Sequence, residues 1–212
     1  MKKVLIAPSI LSADFTHLER EIKDVERGGA DLIHIDVMDG RFVPNITIGP
    51  VVIKGIRKQT ALPLDVHLMI DEPIRYINDF REAGADMITI HYEACQHLEA
   101  TLETVKSSGA KVGISLKPKT PVDDTVNRII KSIDLVLCMS VEPGFGGQEF
   151  IPAVIPKLKE LRKSFKGLIS IDGGINKETA KIARKAGVDI LVAGSAIFNR
   201  NDRRQAIHDL LA

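Results

Sequence analysis

A short signature repeats along the chain, and it limits the possible folds more than any other feature. Gly, then Ala or Val, then Asp or Lys, precedes an apolar run at 29–31, 84–86, 109–111 and 187–189. Each signature follows a helix-like stretch, so its Gly suits the left-handed turn that ends a helix, and the run suits a buried strand. The separations are multiples of roughly 26 residues, so a chain of 212 residues holds about eight such units.

The apolar runs fit that count. Strands are predicted at 4–9, 32–38, 64–69, 86–91, 111–116, 134–139, 168–172 and 189–193. The stretches between them have helical periodicity, with Asp14 and Asn176 as caps and Pro73 in a first turn. Phe15, Leu18, Ile22 and Val25 are predicted to share one helix face. We therefore predict an α/β fold, a single-domain (β/α)8 TIM barrel over residues 1–212, with a doubly wound open sheet as the alternative.

Composition excludes several functional classes. Hydrophobic residues make up 44% of the chain and charged residues 27%, as in ordinary globular proteins. A net charge of +1 gives no basic field to attract nucleic acid or a membrane, and the absence of Trp argues against base stacking. No apolar stretch approaches the roughly 20 residues of a spanning helix. Two cysteines, Cys95 and Cys138, suggest no disulfide framework, so we expect a cytoplasmic protein with no nucleic-acid or membrane partner.

Polar residues at the predicted strand ends form a candidate metal site. Because active sites of such barrels lie at the carboxyl ends of the strands, these positions have the most weight. Strand side chains alternate between faces, which places His34 with Asp36 and brings His67 and Asp172 to the same barrel mouth. Two imidazoles and two carboxylates suit zinc, iron(II), manganese or cobalt. The alternative is that they are hydrogen-bonded structural residues.

Three methionines also fall at predicted strand ends. Met38, Met69 and Met139 would form a water-excluding apolar wall around a reactive carbon, although flexible core filling is the alternative for each. Lys117 follows strand five and is the only strand-end lysine placed to form a Schiff base. A solvated Lys is the favoured interpretation of that residue.

Glycine clusters follow the last three strands. They are the 143–148 loop, Gly173-Gly174 and Gly194-Ser195. Glycine lets backbone N–H groups approach an anion, and barrels often bind phosphate at the loops after strands seven and eight, so we expect a phosphate site. Tight turns are the alternative. Glu149 stands where a dinucleotide fingerprint needs its third Gly, and no Walker A sequence occurs, so no nucleotide cofactor is expected.

Several long motifs together resemble those of the ribulose-phosphate 3-epimerase family. They are 7–14, 34–40 with 42–45, 65–69, 143–148 and 172–175. They stand in the family's order, and the resemblance covers nearly the whole chain.

The resemblance implies a metal-dependent epimerase of the pentose phosphate pathway, in carbohydrate metabolism. It would interconvert D-ribulose 5-phosphate and D-xylulose 5-phosphate at C3 through a 2,3-enediolate. The implied ligands of one divalent cation are His34, Asp36, His67 and Asp172, with Asp36 and Asp172 as the acid/base pair. The implied substrate contacts are Ser9, His67, Gly144, Phe145, Gly146, Gly147, Asp172, Gly173, Gly174, Gly194 and Ser195. The partners expected are a small ketose phosphate and further copies of the chain in a homo-oligomer.

Three other functions stay open at this point. An epimerase acting on a six-carbon ketose phosphate, such as allulose 6-phosphate, would keep the same chemistry. Related barrel decarboxylases and synthases carry Asp-x-Lys-x-x-Asp after strand three, and His67 stands at the Lys position here, which argues against them. A catalytically silent phosphate-binding barrel is the non-enzyme alternative, and the presence of both carboxylates and both histidines counts against it.

Overall fold

The computed structural model describes residues 3–212 and contains eight parallel strands that alternate with helices. The strands are β1 (Leu5–Pro8), β2 (Ile33–Met38), β3 (Leu64–Met69), β4 (Met87–His91), β5 (Lys111–Leu116), β6 (Leu135–Met139), β7 (Leu168–Asp172) and β8 (Ile190–Ala193). Every predicted strand is present, and each boundary lies within one residue of its predicted position. Residues 1 and 2 of the predicted domain range lie outside the described residues.

The sheet closes on itself. Its strand order is β1-β8-β7-β6-β5-β4-β3-β2, and an isolated parallel bridge between Ser9 and His34 joins the two end strands. A doubly wound sheet would instead leave two open edges, so that alternative is wrong and the predicted (β/α)8 barrel is confirmed. The closing bridge lies directly beside the candidate metal ligands of β2.

The helices surround the strands. They are α1 (Leu18–Gly28), α2 (Pro50–Arg57), α3 (Ile77–Ala83), α4 (Leu98–Ser107), α5 (Asp124–Ile129), α6 (Ile155–Ser164), α7 (Lys177–Lys185), α8 (Ser195–Phe198) and α9 (Arg203–Leu211). Asn176 caps α7 as predicted, and its capping box includes Thr179. Asp14 caps a short 3-10 turn that precedes α1, and the Phe15 side chain in that turn is 44% exposed. The prediction that Phe15 shares the buried face of Ile22 and Val25 was therefore wrong.

Alternation along the strands separates the apolar core from the polar barrel interior. In β2, Ile33, Ile35 and Val37 belong to the main apolar core, whereas His34 and Asp36 belong to the candidate site. All five residues are buried. The helices thus cover one face of each strand, and the other face carries the residues available for chemistry.

Asp31, Asp86 and Asp189 of the sequence signature share a structural role with Asp134 at the amino-terminal end of the barrel. A backbone N–H of the preceding strand donates to each of four aspartates at 2.8–2.9 Å: Ile6 to Asp31, Leu64 to Asp86, Val112 to Asp134 and Ile169 to Asp189. These contacts satisfy backbone donors where each odd strand begins. Arg57 pairs with Asp86, and Arg162 pairs with Asp189, each at 2.8 Å.

Candidate metal centre and active site

Four side chains from three strands meet inside the carboxyl end of the barrel. One ligand atom from each of His34, Asp36, His67 and Asp172 lies within 4.8 Å of the other three. Strand register brings this about, because Asp36 of β2 stands beside His67 of β3, while Asp172 ends β7. The prediction that these residues converge agrees with this arrangement.

The His34 ring presents an unpartnered nitrogen to the cluster. Its Nδ1 lies 2.8 Å from Asp65 Oδ2 on the far side of the ring. Its buried Nε2 has no hydrogen-bond partner, although it lies 3.3 Å from Asp36 Oδ1 and 4.0 Å from Asp172 Oδ2. A buried ring nitrogen without a hydrogen-bond partner, facing two carboxylates, fits a divalent cation with nitrogen and oxygen ligands. A carboxylate behind the other ring nitrogen is the usual support of a metal-binding His.

His67 is held between the cluster and a second histidine. Its Nδ1 lies 3.2 Å from Asp36 Oδ1, and its Nε2 lies 3.0 Å from His91 Nε2. His91 in turn places Nδ1 3.0 Å from Glu93 Oε2. Both imidazoles are 0% exposed. This histidine pair lies beneath the barrel mouth, on the side formed by β3 and β4.

The two carboxylates of the cluster have pKa values that are shifted in opposite directions. Burial disfavours the charged form of Asp36, but the positive charge of His34, whose Nε2 lies 3.3 Å from Asp36 Oδ1, outweighs it and holds the pKa of Asp36 well below its usual value. Burial, followed by the negative charge of Asp36, raises the pKa of Asp172. The Ser9 hydroxyl donates to Asp36 Oδ2 at 2.5 Å, which also favours the carboxylate. Such a split separates a proton donor from a proton acceptor.

A cavity opens above the carboxylates at the barrel mouth. The residues predicted from the sequence for the site that line this cavity are Ser9, Asp36, Met38, Met69, Met139, Gly144, Phe145, Gly146, Gly147, Asp172, Gly173, Gly174, Gly194 and Ser195. Among the described residues that line it, none is Lys or Arg. His34 and His67 are fully buried and lie outside the lining, so a direct contact between His67 and substrate stays a prediction.

The glycines around the cavity divide into two kinds. Gly173 and Gly174 have φ of +116° and +62°, and a Cβ on either would overlap Val141 or Phe150, so the turn itself requires them. Gly146 has no positive φ, and a Cβ there would make only ordinary contacts, 3.7 Å from Ser12 Oγ and 3.8 Å from Leu11 Cδ2. Ser12 and Leu11 line the cavity, so this Cβ would stand beside cavity space. The backbone conformation at residue 146 therefore does not by itself require glycine.

Comparison with known proteins identifies the family. The model of the ribulose-phosphate 3-epimerase family matches residues 5–198. A ribulose-phosphate 3-epimerase from Bacillus subtilis is 55% identical over 98% of this chain and 98% of its own. The chain belongs to the ribulose-phosphate 3-epimerase family. The Escherichia coli K12 ribulose-phosphate 3-epimerase is 43% identical over 99% of this chain and 96% of its own. The chloroplastic ribulose-5-phosphate-3-epimerase of Arabidopsis thaliana is 48% identical over 99% of this chain and 76% of its own.

Solved structures support the fold of this epimerase family member. A mutant tryptophan synthase alpha-subunit from Pyrococcus furiosus superposes with a TM-score of 0.73 at 16% identity, covering 99% of this chain and 97% of that one. At that identity the match shows the shared barrel alone. Among the described residues, no helix combines the length and the apolar character needed to cross a membrane.

Sequence reasoning missed several residues of this epimerase site. Asp65 lies on the same face of β3 as His67, yet neither it nor His91 or Glu93 is singled out by the sequence motifs. Ser12 and Gln148 also line the cavity. The period-two alternation that selected His67 also applies to β4, where Thr89 and His91 follow Met87 on one face.

Proposed function

We propose that the chain interconverts D-ribulose 5-phosphate and D-xylulose 5-phosphate by removing and returning a proton at C3. Family membership supports the substrate. The observation that carries the chemistry is the pairing of Asp36 and Asp172 beside the unpartnered Nε2 of His34, at the floor of the cavity. Inversion at one carbon needs an acid and a base on opposite faces of that carbon, and two carboxylates from different strands provide this.

The proposed metal ligands are His34, Asp36, His67 and Asp172. Zinc, iron(II), manganese or cobalt would suit this set of donors. When bound, the cation supplies Lewis-acid stabilisation for the negative charge that develops on the substrate oxygens. Asp65 orients the His34 ring by accepting from its Nδ1, which leaves Nε2 for the cation.

Asp36 and Asp172 are the proposed proton carriers. Around the closed ring, β2 and β7 are separated by β1 and β8, so the two carboxylates approach the cavity from different sides. One removes the C3 proton to give a 2,3-enediolate, and the other delivers a proton to the opposite face. Their roles exchange in the reverse reaction. Their opposite pKa shifts agree with one carboxylate ready to accept a proton and the other ready to donate.

The glycine loops are the proposed phosphate site. Backbone N–H groups of 144–147, 173–174 and 194–195 would hold the phosphate, since the described lining has no cationic side chain. Met38, Met69 and Met139 would keep water from the reacting carbon.

We also propose that residues 1–212 act as one catalytic domain, without a nucleotide cofactor. A homo-oligomer in the cytoplasm is the proposed state.

The test separates the two carboxylates. Asp172→Asn keeps the shape of the side chain but removes a proton carrier, so epimerisation should fall by about 10²–10⁴-fold. Exchange of solvent deuterium into C3 without inversion should survive for the one epimer whose proton Asp36 reaches. Asp36→Asn should show the same behaviour with the other epimer. Both variants are assayed by NMR for deuterium at C3 and by a coupled assay for epimerisation.

Metal content is measured in each variant, because both residues are proposed ligands. Variants that keep their metal and still epimerise at near wild-type rates would exclude the two-base mechanism. If a variant loses its metal, the exchange measurement is repeated at saturating zinc or cobalt. An exchange preference shared by both variants would then contradict the assignment of opposite faces.

A further inference from the structure

Glu93 is fixed as a hydrogen-bond acceptor behind the histidine pair. Its Oε1 accepts from the backbone N–H of Lys117 at 2.8 Å and from the Thr120 hydroxyl. Its Oε2 lies 3.0 Å from His91 Nδ1. Burial works against the charged form, but these hydrogen bonds outweigh it and lower the pKa of Glu93 to about 2. Because an ionised carboxylate can only accept, His91 carries its proton on Nδ1.

The proton on His91 Nδ1 determines the state of the next ring. A neutral imidazole with a protonated Nδ1 has a bare Nε2, and that nitrogen lies 3.0 Å from His67 Nε2. Two bare nitrogens would repel at this distance, so His67 donates from Nε2. Its Nδ1 is then bare and faces Asp36 Oδ1 at 3.2 Å, inside the metal cluster.

We propose that Glu93 and His91 are positioning residues that hold His67 in the tautomer whose Nδ1 can bind the metal. The inference rests on the proposed role of His67 as a ligand. Without this pair, a proton on His67 Nδ1 would donate to the adjacent carboxylate of Asp36, and the ligating nitrogen would be blocked. Carboxylate–histidine support of this kind typically changes metal affinity by 10–100-fold.

Packing holds the His91 ring in this orientation. The Phe42 ring packs against it at a tilt of 44°, with centroids 4.8 Å apart, and Lys117 Nζ lies 4.2 Å from the Phe42 ring centroid. His91 itself is 0% exposed. Phe42, from the loop after β2, and Lys117, from the loop after β5, thereby fix His91 of β4, which contacts the metal cluster through His67. His34 differs, since Asp65 supports it directly at 2.8 Å.

Glu93→Gln should invert the chain of hydrogen bonds while keeping the shape of the side chain. The Lys117 N–H can only donate, so the Gln carbonyl must face it and the amide N–H₂ must face His91. His91 then accepts at Nδ1 and donates from Nε2, and His67 carries its proton on Nδ1. We expect zinc and cobalt to bind 10–100-fold more weakly than to the wild type, measured by chelator competition. The matched control is Glu99→Gln on α4, an exposed carboxylate 3.6 Å from Arg128, which should leave metal affinity unchanged.

A second readout needs neither metal nor activity. Histidine-labelled ¹⁵N NMR of the metal-free wild type should show His91 protonated at Nδ1 and His67 at Nε2, and Glu93→Gln should reverse both. A purely structural Glu93 would lower stability without reversing the tautomers. The opposite tautomers in the wild type, or equal metal affinity in a folded Glu93→Gln variant, would overturn the proposal. If the wild type binds no metal, the proposed metal centre fails, while the NMR measurement still decides the tautomer.

Discussion

Gly146 and Gly174 should respond to the same substitution in opposite ways. Gly146→Ala adds a methyl group that meets Ser12 Oγ and Leu11 Cδ2 at 3.7 and 3.8 Å, which are ordinary contacts. The folded protein therefore has room for it, and stability should be unchanged or raised by about 0.4–1 kcal/mol through loss of chain entropy. In Gly174→Ala the new Cβ lies 2.8 Å from Phe150 Cα at a φ of +62°. Left-handed strain of about 1–2 kcal/mol and overpacking of about 1–3 kcal/mol should together destabilise this variant.

Catalysis should fall in Gly146→Ala even though its stability does not. The Gly146 methyl group would stand where the proposed phosphate approaches the backbone. Losing one hydrogen bond to a charged group removes about 1.5–3 kcal/mol of binding, which is roughly a 10–150-fold fall in kcat/KM. Unphosphorylated D-ribulose should already be a very poor substrate, and the substitution should not reduce its turnover further. Gly146→Val, with a larger side chain, should show a greater rise in KM for the phosphorylated substrate.

Urea denaturation and steady-state kinetics on the same preparations make the comparison. Each variant is assayed with D-ribulose 5-phosphate and with the free sugar. An unchanged kcat/KM for the phosphate ester in Gly146→Ala would remove the 144–147 loop from the phosphate site. A stable Gly174→Ala would refute the argument that backbone geometry requires that glycine.

Two further predictions concern stability. Asp86→Ala leaves the Leu64 N–H unpaired and removes the carboxylate partner of Arg57, so the free energy of unfolding should fall by about 1–3 kcal/mol in urea titrations. The exposed control Asp79→Ala should lose less than about 1 kcal/mol, and equal losses would refute the role of Asp86. The pKa of Glu93 is held at about 2, below its unfolded value near 4.5. The ionised carboxylate therefore stabilises the fold by about 3 kcal/mol above pH 4.5, and this stabilisation is lost as the pH falls from 4.5 towards 2. The stability difference between wild type and Glu93→Gln should therefore shrink between pH 5 and pH 3, and a difference independent of pH would contradict the assignment.

Strand alternation explains why so much of the candidate site could be predicted. A period of two fixes which face His34, Asp36 and His67 share, and the barrel then brings that face to one mouth. The same rule would also select His91, but the sequence does not show how deep a side chain lies or what stands behind it. The contact between His91 and His67 depends on the register of β3 against β4, in which His67 pairs with Thr89.

The two kinds of glycine show a different limit of sequence reasoning. Gly146 and Gly174 both follow strands and both look suited to an anion. Only the space around the missing Cβ and the sign of φ distinguish a glycine required by its turn from one that leaves room beside a cavity. The prediction for Phe15 fails for a related reason, because a 3-10 turn precedes α1 and rotates that side chain out of the helix periodicity.

The two ends of the barrel differ in how their residues repeat. At the amino-terminal end, Asp31 and Asp134 lie 103 residues apart, as do Asp86 and Asp189, and all four accept a strand N–H in the same way.

Gly84 and Gly187 repeat with that spacing too, and a Cβ on either would overlap the side chain of Arg57 or Arg162, which binds the following Asp. In each half of a closed ring of parallel strands, the first backbone N–H groups of a strand need acceptors, and the same arrangement of Gly, Asp and Arg provides one in both halves. No such repetition links the candidate metal ligands at the carboxyl end, which come from β2, β3 and β7. Inversion at one carbon needs one proton carrier on each of its faces, and the proposed pair, Asp36 and Asp172, supplies both from β2 and β7, so the other strand ends need not repeat them. The carboxyl end could therefore specialise because the opposite end already holds the strands in register.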